Sequence, residues 1–209
     1  MLRYLMKYPD KITEVFITHL VITMEALLLS IAMAAVIGAL ILVHKGFVKL
    51  TAALFGAVYC IPSLALFALF IPAFGLGNKT ALVVLVLYNQ FFLVQSFLGG
   101  LESIPGHIPE AAAGMGLSKI QILYRIQLPL AVPVILAGIR MAAISTVGIA
   151  VIAAGINAGG LGVLLFEGMR TRNTVKILWG VILAALLNLL LNGILSLLES
   201  YSRRKLHLI

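Results

Sequence analysis

The chain has 209 residues, of which 62% are hydrophobic and 11% are charged, and its net charge is +8. Soluble domains are about 45–50% apolar and about 25% charged, so this composition excludes a water-soluble globule and indicates a membrane protein. The basic residues stand singly or in short clusters between apolar runs, as Lys and Arg do beside membrane spans, and this distribution argues against nucleic-acid binding.

Five apolar runs are long enough to cross a bilayer, whose hydrocarbon core of about 30 Å needs about 20 helical residues. In chain order they cover residues 16–43, 48–71, 80–98, 130–156 and 177–198. Pro62 interrupts the second run and predicts a kink or a break there. The first run is long and follows a basic start, so we predict a retained span and not a cleaved signal peptide. The pattern predicts one all-α integral membrane domain over residues 1–209.

Charge alone does not orient these spans, because Lys and Arg divide almost evenly between the two faces. Five spans put the termini on opposite sides, with eight basic residues on one face and seven on the other. The cytoplasmic side usually holds the excess. Only the basic tail at residues 203–205 weakly favours a cytoplasmic C-terminus.

The sequence contains no arrangement of residues that would carry catalysis or hold a metal. It lacks a Ser/His/Asp set, an HExxH motif and the GxxxxGK[ST] loop that binds nucleotide phosphates. The four histidines are scattered, and the one cysteine, Cys60, lies in an apolar run where a small buried side chain is expected. We therefore assign no catalytic residue, no metal site and no cofactor to this chain.

The longest polar segment, residues 99–129, separates the third span from the fourth. Within it, Glu110 falls at the start of a predicted helix, where a carboxylate suits the positive end of the helix dipole. Gly116 would allow a tight turn or the close approach of a partner backbone, and Ile120, Leu123 and Tyr124 recur at the spacing of a second short helix with an apolar face. On spacing alone the segment is either a docking element or a connecting loop that folds back on the bundle.

Residues 110–129 resemble the EAA motif of ABC-importer permeases. The motif reads E-A-A-x-x-x-G, nine further residues, and then I-x-L-P, and every position is matched. The matching residues are Glu110, Ala111, Ala112, Gly116, Ile126, Leu128 and Pro129. The resemblance implies that this set, together with Leu117, belongs to a cytoplasmic coupling helix that docks into a groove of an ATPase subunit.

The place of the motif, between two spans of a five-span chain, is similar to that in the type I ABC-importer transmembrane domain. The resemblance implies one permease domain with its coupling loop at residues 99–129, the N-terminus outside and the C-terminus cytoplasmic. It also implies a multi-pass protein of the bacterial cytoplasmic membrane. The expected partners are ATPase subunits that bind ATP and Mg²⁺, a second identical or related permease subunit, and a periplasmic or lipid-anchored solute-binding protein.

Two further stretches are similar to permeases for osmoprotectants such as glycine betaine, carnitine and choline. They are IPSLALFALFIPAFGLGNK (61–79) and INAGGLG (156–162), although Asn157 stands where relatives more often have glycine. The implied function is a translocation path that works by alternating access, with a methionine-type permease as the alternative, since it shares the EAA and AGGLG segments. The candidate residues of the path or its gate are Pro62, Ser63, Asn157, Gly159, Gly160 and Gly162. The break at Pro62 could also offer free carbonyl groups to a cation.

Four polar residues inside the spans have two interpretations each. Glu25 is a candidate for function because carboxylates are rare in membranes, but we favour a place near the outer end of its span, where it reaches the interface or an amide partner. Asn188 and Asn192 share a helix face and predict helix–helix hydrogen bonds rather than substrate contacts. Arg140 is expected to reach the interface or a carbonyl group. A channel or scaffold without an ATPase is the alternative from another class, and the EAA spacing argues against it.

Overall fold

The computed structural model describes residues 2–43 and 46–205, and all regular structure in this part of the chain is helical. His44 and Lys45 of the first basic loop and residues 206–209 of the basic tail lie outside the described residues. In chain order the helices are α1 (Leu2–Lys7), α2 (Pro9–Val43), α3 (Phe47–Cys60), α4 (Ser63–Phe74), α5 (Asn78–Glu102), α6 (His107–Gly114), α7 (Lys119–Ile122), a π-helical turn (Leu123–Gln127), α8 (Leu128–Ala153), a 3₁₀ turn (Ala154–Ile156), α9 (Gly162–Arg170) and α10 (Thr174–Lys205).

Four helical stretches of the described chain are long and apolar enough to cross a membrane. They are α2, α5, the helix Lys119–Ile156 and α10. A fifth span is present if α3 and α4 count as one broken span, because their axes meet at 100°. The predicted interruption at Pro62 is confirmed. Pro62 is the N-cap of α4, and Ile61 before it is extended (ψ 130°), the conformation that a following proline favours, so α3 ends here.

Two helices extend beyond the apolar runs that predicted them. α2 begins at Pro9 and not at residue 16, and the helix that contains α7, the π-helical turn and α8 is continuous over 38 residues. Hydropathy marks the part of a helix that lies in lipid, whereas a helix can continue into water wherever its backbone is free to do so. The fourth span therefore includes the end of the segment that was predicted as a polar loop.

α5 lies at the centre of the bundle, in contact with α2, α3, α4 and α8. Its approach to α8 depends on small residues. A Cβ atom on Gly138 would overlap the side chain of Ser96, and one on Gly100 would lie 3.1 Å from the Cβ of Ala131. Small side chains at such contacts let helix backbones come close enough for van der Waals packing, which replaces the hydrophobic effect inside a membrane.

A buried polar chain ties α2, α5 and α8 together in the interior of the bundle. Asn89 Nδ2 donates to Ser30 Oγ over 3.0 Å, and Asn89 Oδ1 accepts from Thr146 Oγ1 over 3.0 Å. All three side chains are buried. Because the bilayer offers no water to polar groups, each member of this chain is satisfied by another helix.

Candidate functional site

The first part of the candidate site is the coupling segment, residues 99–129, in which α6 ends in a Schellman motif. The amide of Leu117 donates to the Ala112 carbonyl over 3.2 Å, and the amide of Gly116 donates to the Ala113 carbonyl over 2.9 Å. Gly116 has φ +87°, a conformation that glycine adopts without a steric cost. The tight turn predicted at Gly116 is therefore present.

The next helix starts immediately after this turn. Ser118 is its N-cap: Ser118 Oγ accepts from the Gln121 amide over 3.4 Å, while the Ser118 amide donates to Gln121 Oε1 over 2.8 Å. This reciprocal capping box satisfies two amides that the first helical turn leaves unpaired. The Schellman motif and the capping box adjoin each other, so α6 and α7 meet at a defined angle.

The coupling segment exposes an apolar surface that consists of Met115, Ile120 and Tyr124. Their side chains are 73%, 69% and 65% exposed. Ala112 and Ile122 are buried instead and hold the segment against the rest of the chain. An exposed patch of this kind on an otherwise polar segment is typical of a protein–protein contact.

The predicted coupling residues divide between this surface and its support. Glu110, Ala111 and Gly116 are exposed, Ala112 is buried, and Leu117, Ile126, Leu128 and Pro129 are half-buried. Glu110 lies in the first turn of α6, as expected, and Leu128 and Pro129 begin α8. Met115 was not identified from the sequence, because it follows α6 at the turn and shares no helical spacing with Ile120 and Tyr124.

The second part of the site is the GGLG turn, residues 157–162, which follows α8. Asn157 has φ +65°, Gly159 φ +83° and Gly160 φ +78°. Asparagine tolerates the left-handed region better than most residues. Asn157 therefore adopts a conformation that is also available to glycine, the residue that relatives more often have at this position. Gly162 starts α9, and a Cβ atom on it would overlap the carbonyl oxygen of Val151.

The GGLG turn packs against α2 through His19, a residue that was not predicted as a site residue from the sequence. His19 is fully buried, and its Nδ1 accepts from the Leu161 amide over 3.3 Å. A Cβ atom on Gly160 would lie 2.7 Å from this Nδ1, and one on Gly159 would lie 3.0 Å from Thr18. A lone histidine in an apolar run has no spacing partner, so only the fold reveals its role.

The third part of the site is the break between α3 and α4. The Tyr88 hydroxyl donates to the Ile61 carbonyl, and the Leu66 amide donates to the Pro62 carbonyl over 3.0 Å. The carbonyl groups of Ile61 and Pro62 are thus engaged inside the chain, which leaves little support for the idea that they serve a cation. Ser63 is the first residue of α4.

The turn after α4 lies beside the GGLG turn although about 80 residues of sequence separate them. A Cβ atom on Gly77 would lie 3.7 Å from the Asn157 carbonyl oxygen. Leu66 and Phe67 of α4 belong to the same buried cluster as Ala158. Pro62 and Ser63 lie at the opposite end of α4 from Gly77, so the turn after α4, and not the break, is the part that adjoins the GGLG turn.

Glu25 has an amide partner, one of the two expected surroundings, at the limit of hydrogen-bond distance: Asn78 Nδ2 lies 3.5 Å from Glu25 Oε2. Glu25 lies near the midpoint of α2, and Asn78 is the first residue of α5. The expected place of Glu25 near the outer end of its span stays a prediction. The Glu25 side chain is exposed on the isolated chain.

Arg140 pairs with two side chains of α10, a carboxylate and a side-chain amide carbonyl. Its Nη2 lies 3.3 Å from Glu199 Oε2, and its Nη1 donates to Asn192 Oδ1 over 3.3 Å. The predicted helix–helix hydrogen bond of Asn192 is confirmed. Asn188 Oδ1 is buried without a hydrogen-bond partner in the described part of the chain.

A charge cluster joins the starts of α2 and α10 to α9. Glu167 binds Lys11 Nζ over 2.6 Å and Lys176 Nζ over 3.0 Å. The hydrogen bond from Lys11 is the largest effect on the pKa of the Glu167 carboxyl and lowers it from its usual 4.5. Desolvation by burial, the next largest effect, opposes this, and the hydrogen bond from Lys176 lowers the pKa further. The cluster fixes α9, and with it the end of the GGLG turn, against two membrane helices.

These features define a helical membrane domain with an exposed coupling element and, elsewhere in the fold, a glycine-dependent turn: the class of a transport permease. The chain belongs to the family described as binding-protein-dependent transport system inner membrane component, whose model matches residues 26–207. It is accordingly a multi-pass inner-membrane permease of the ABC-importer class, and the expected fold class and membrane location are confirmed.

Three curated relatives are similar in sequence. The ergothioneine transport permease/ergothioneine binding protein EgtU of Helicobacter pylori is 42% identical over 142 residues, which are 68% of this chain and 26% of that protein. The osmoprotectant import permease protein OsmW of Salmonella typhimurium is 32% identical over 95% of this chain and 94% of that one. The carnitine transport permease protein OpuCB of Listeria monocytogenes is 30% identical over 87% of this chain and 83% of its own. This chain thus spans about a quarter of the first relative and nearly all of the second.

Solved structures share the fold at low sequence identity. The MetNI methionine ABC transporter in an inward-facing conformation superposes with a TM-score of 0.83 at 20% identity, covering 92% of this chain and 96% of that one. An amino acid ABC transporter crystallised with histidines gives a TM-score of 0.76 at 17% identity, with coverage of 96% and 97%. At such identities the likeness establishes the fold alone.

Proposed function

We propose that this permease forms the translocation path for a small solute with a quaternary ammonium group, glycine betaine, carnitine and choline being the first candidates. The proposal is supported by relatives that align over most of their length and are named for osmoprotectant, carnitine and choline transport. Ergothioneine is a second candidate, favoured by the 42% identity to EgtU. It also carries a trimethylammonium group, so both candidates share one chemical class. The likeness to MetNI does not favour methionine, because it concerns the fold alone.

The coupling segment is the observation on which the permease mechanism rests. Its two capped helices meet at Gly116, and they expose Met115, Ile120 and Tyr124 beside Glu110. This gives a small, rigid, apolar projection between two membrane spans. We infer that it docks into a groove of an ATPase subunit, that this side is cytoplasmic, and that the N-terminus lies outside.

The proposed mechanism is alternating access. A binding protein delivers the solute to the outer face, where the turn after α4 lies beside the GGLG turn. Closure of two ATPase subunits around ATP moves the coupling segments and opens the path outward, and hydrolysis resets it. Binding in the path should be weak, since a tightly held solute would not be released.

The chemistry of ATP belongs to the partner in this mechanism, because the sequence has no phosphate-binding loop. We infer that ATP and Mg²⁺ bind the ATPase subunits and that this chain acts as a non-catalytic subunit. A second permease subunit, identical or related, completes the path. The binding protein is either a separate chain or a fused domain, as the name of EgtU suggests for that relative.

Co-purification with candidate ATPase subunits tests the coupling role. Gly116→Ala places a side chain at φ +87°, whereas Gly114→Ala lies in α6 with open space around its Cβ atom and is the matched control. We expect wild type and Gly114→Ala to retain the ATPase, and Gly116→Ala and Glu110→Lys to lose it. Retention by all four proteins, or by none, would show that the coupling segment is an ordinary loop.

A further inference from the structure

We propose that the carboxylate of Glu25 contacts the cationic group of the transported solute as the solute crosses the membrane. The proposal rests on the quaternary ammonium class proposed above and names the residue that would recognise it. A fully substituted ammonium group has no hydrogen to donate, so hydroxyl and amide groups cannot bind it by hydrogen bonds. It is recognised by negative charge or by aromatic faces.

Glu25 is a carboxylate within the membrane-spanning helix α2, close to the first residue of α5, and the described residues give it no cationic partner. The other two acids that lie deep in the fold are neutralised: Glu199 pairs with Arg140 and Arg203, and Glu167 pairs with lysines. Within residues 2–43 and 46–205, Glu25 makes no ion pair, and its one polar contact is the 3.5 Å approach of the Asn78 amide. Lys79, next to Asn78, forms no ion pair with it.

The Glu25 side chain is exposed on the isolated chain, so either lipid or a water-filled path surrounds it in the membrane. It lies in an apolar strip of α2 between Val21, Met24 and Leu28, which are 45%, 37% and 63% exposed. If this strip faced lipid, the carboxylate would lie in hydrocarbon, where acidic residues are rare and are usually paired. A water-filled path between two permease subunits places the carboxylate in a polar environment and leaves it accessible to a passing solute.

Glu25 also lies near the place where the turn after α4 adjoins the GGLG turn. Its partner Asn78 follows Gly77, and a Cβ atom on Gly77 would come within 3.7 Å of the Asn157 carbonyl oxygen. The Glu25 carboxylate therefore brings a negative charge, without an ion pair in the described residues, close to the GGLG turn.

A single carboxylate that water can reach binds a cation weakly, and weak binding favours transport over the tight binding of an enclosed site. It attracts a cation over a few ångströms, yet water can replace the cation at little cost, so the solute leaves the site. Asn78 holds the carboxylate in place without neutralising its charge.

The test uses the complete transporter, with its ATPase and binding protein, reconstituted in liposomes. Uptake of radiolabelled choline, glycine betaine and ergothioneine is measured for wild type, Glu25→Gln and Glu25→Asp. Glu14→Gln is the matched control, since it removes an exposed carboxylate from the same helix. Glutamine keeps the shape of the side chain and can bind the Asn78 amide, so it removes the charge alone. Purified complexes are compared by size-exclusion chromatography and melting temperature.

We expect Glu25→Gln to lower kcat/KM for uptake about tenfold or more, because one charge contact is lost. Glu25→Asp should keep part of the wild-type kcat/KM, and Glu14→Gln should keep all of it. Wild-type rates in Glu25→Gln would overturn the proposal and leave the proposed function intact. Loss of assembly in Glu25→Gln would also overturn it, because Glu25 would then serve a contact between subunits. If wild type takes up none of the three solutes, the proposed substrate class and this assignment both fail.

Discussion

At the scale of single residues, the packing of the GGLG turn against α2 depends on Gly159, Gly160 and His19. Gly160 has φ +78°, and a Cβ atom there would lie 2.7 Å from His19 Nδ1. His19 accepts the Leu161 amide through this nitrogen. The turn can pack against α2 in this way only if residue 160 has no side chain and the Nδ1 atom of His19 carries no proton, so that it can accept the hydrogen bond.

Gly160→Ala should destabilise the protein by about 1–3 kcal/mol, because alanine is strained at positive φ and its methyl group would meet the imidazole. The measurement is thermal unfolding of the purified protein in detergent. Gly148→Ala is the control, since Gly148 lies in α8 with open space around its Cβ position. Equal melting temperatures for the two variants would show that the close packing of Gly160 against His19 does not stabilise the protein.

Glu167 makes part of the stability depend on pH. The pKa of its carboxyl is lower in the folded protein than its usual 4.5, mainly because of the hydrogen bond from Lys11. A lowered pKa contributes stability that is complete above 4.5 and is lost as the pH falls through the folded value. We expect Glu167→Gln to melt below wild type at neutral pH and the difference to shrink in acid. A difference that grows in acid would contradict this.

At the scale of secondary-structure elements, the break between α3 and α4 depends on a side chain from α5. The Tyr88 hydroxyl donates to the Ile61 carbonyl, which has no helical amide to serve it after α3 ends. Cys60, the last residue of α3 and the one cysteine of the sequence, is exposed beside it. A single thiol therefore reports on the break without further engineering.

Tyr88→Phe should loosen the break, since it leaves the Ile61 carbonyl without this donor at a cost of about 1–3 kcal/mol. The expected result is faster reaction of Cys60 with a maleimide in membrane vesicles. Tyr59→Phe is a useful control, because Tyr59 packs on the same aromatic cluster through its ring. Equal labelling rates in wild type and Tyr88→Phe would show that the hydroxyl does not hold the break.

The sequence predicted those elements whose cause is local. Apolar runs marked the spans, Pro62 marked the break and Gly116 marked the turn, because each acts through its own backbone or its own transfer to lipid. It did not predict the partners of His19, Tyr88 or Arg140, since these contacts join helices far apart in the chain. Nor did hydropathy set the start of α2, where charged residues continue a helix beyond the apolar core. The roles of the coupling and gate residues remain predictions.

At the scale of the whole molecule, the three central spans are joined by the chain of hydrogen bonds from Ser30 through Asn89 to Thr146. Thr146→Val keeps the shape and removes the hydroxyl, so Asn89 Oδ1 loses its donor in the membrane interior. We expect a loss of about 0.5–2 kcal/mol, the range of such bonds between membrane helices.

The measurement for this prediction is unfolding in mixed detergent micelles, followed by circular dichroism. Thr13→Val, at an exposed position of α2, should leave the midpoint unchanged. If both valine variants behave as wild type, the polar chain contributes nothing to holding α2, α5 and α8 together.

The continuous helix from Lys119 to Ile156 connects the two functional ends of the molecule. Its 38 residues make a rod of about 57 Å at 1.5 Å per residue. Ser118 and the exposed apolar surface lie at one end, and Asn157 begins the GGLG turn at the other. If such a rod pivots about its coupling end, a tilt of 5° moves the far end by about 5 Å, comparable to the width of a small solute. A small rotation imposed at the coupling segment is thus enough, by lever geometry alone, to displace the turn on the opposite side of the membrane.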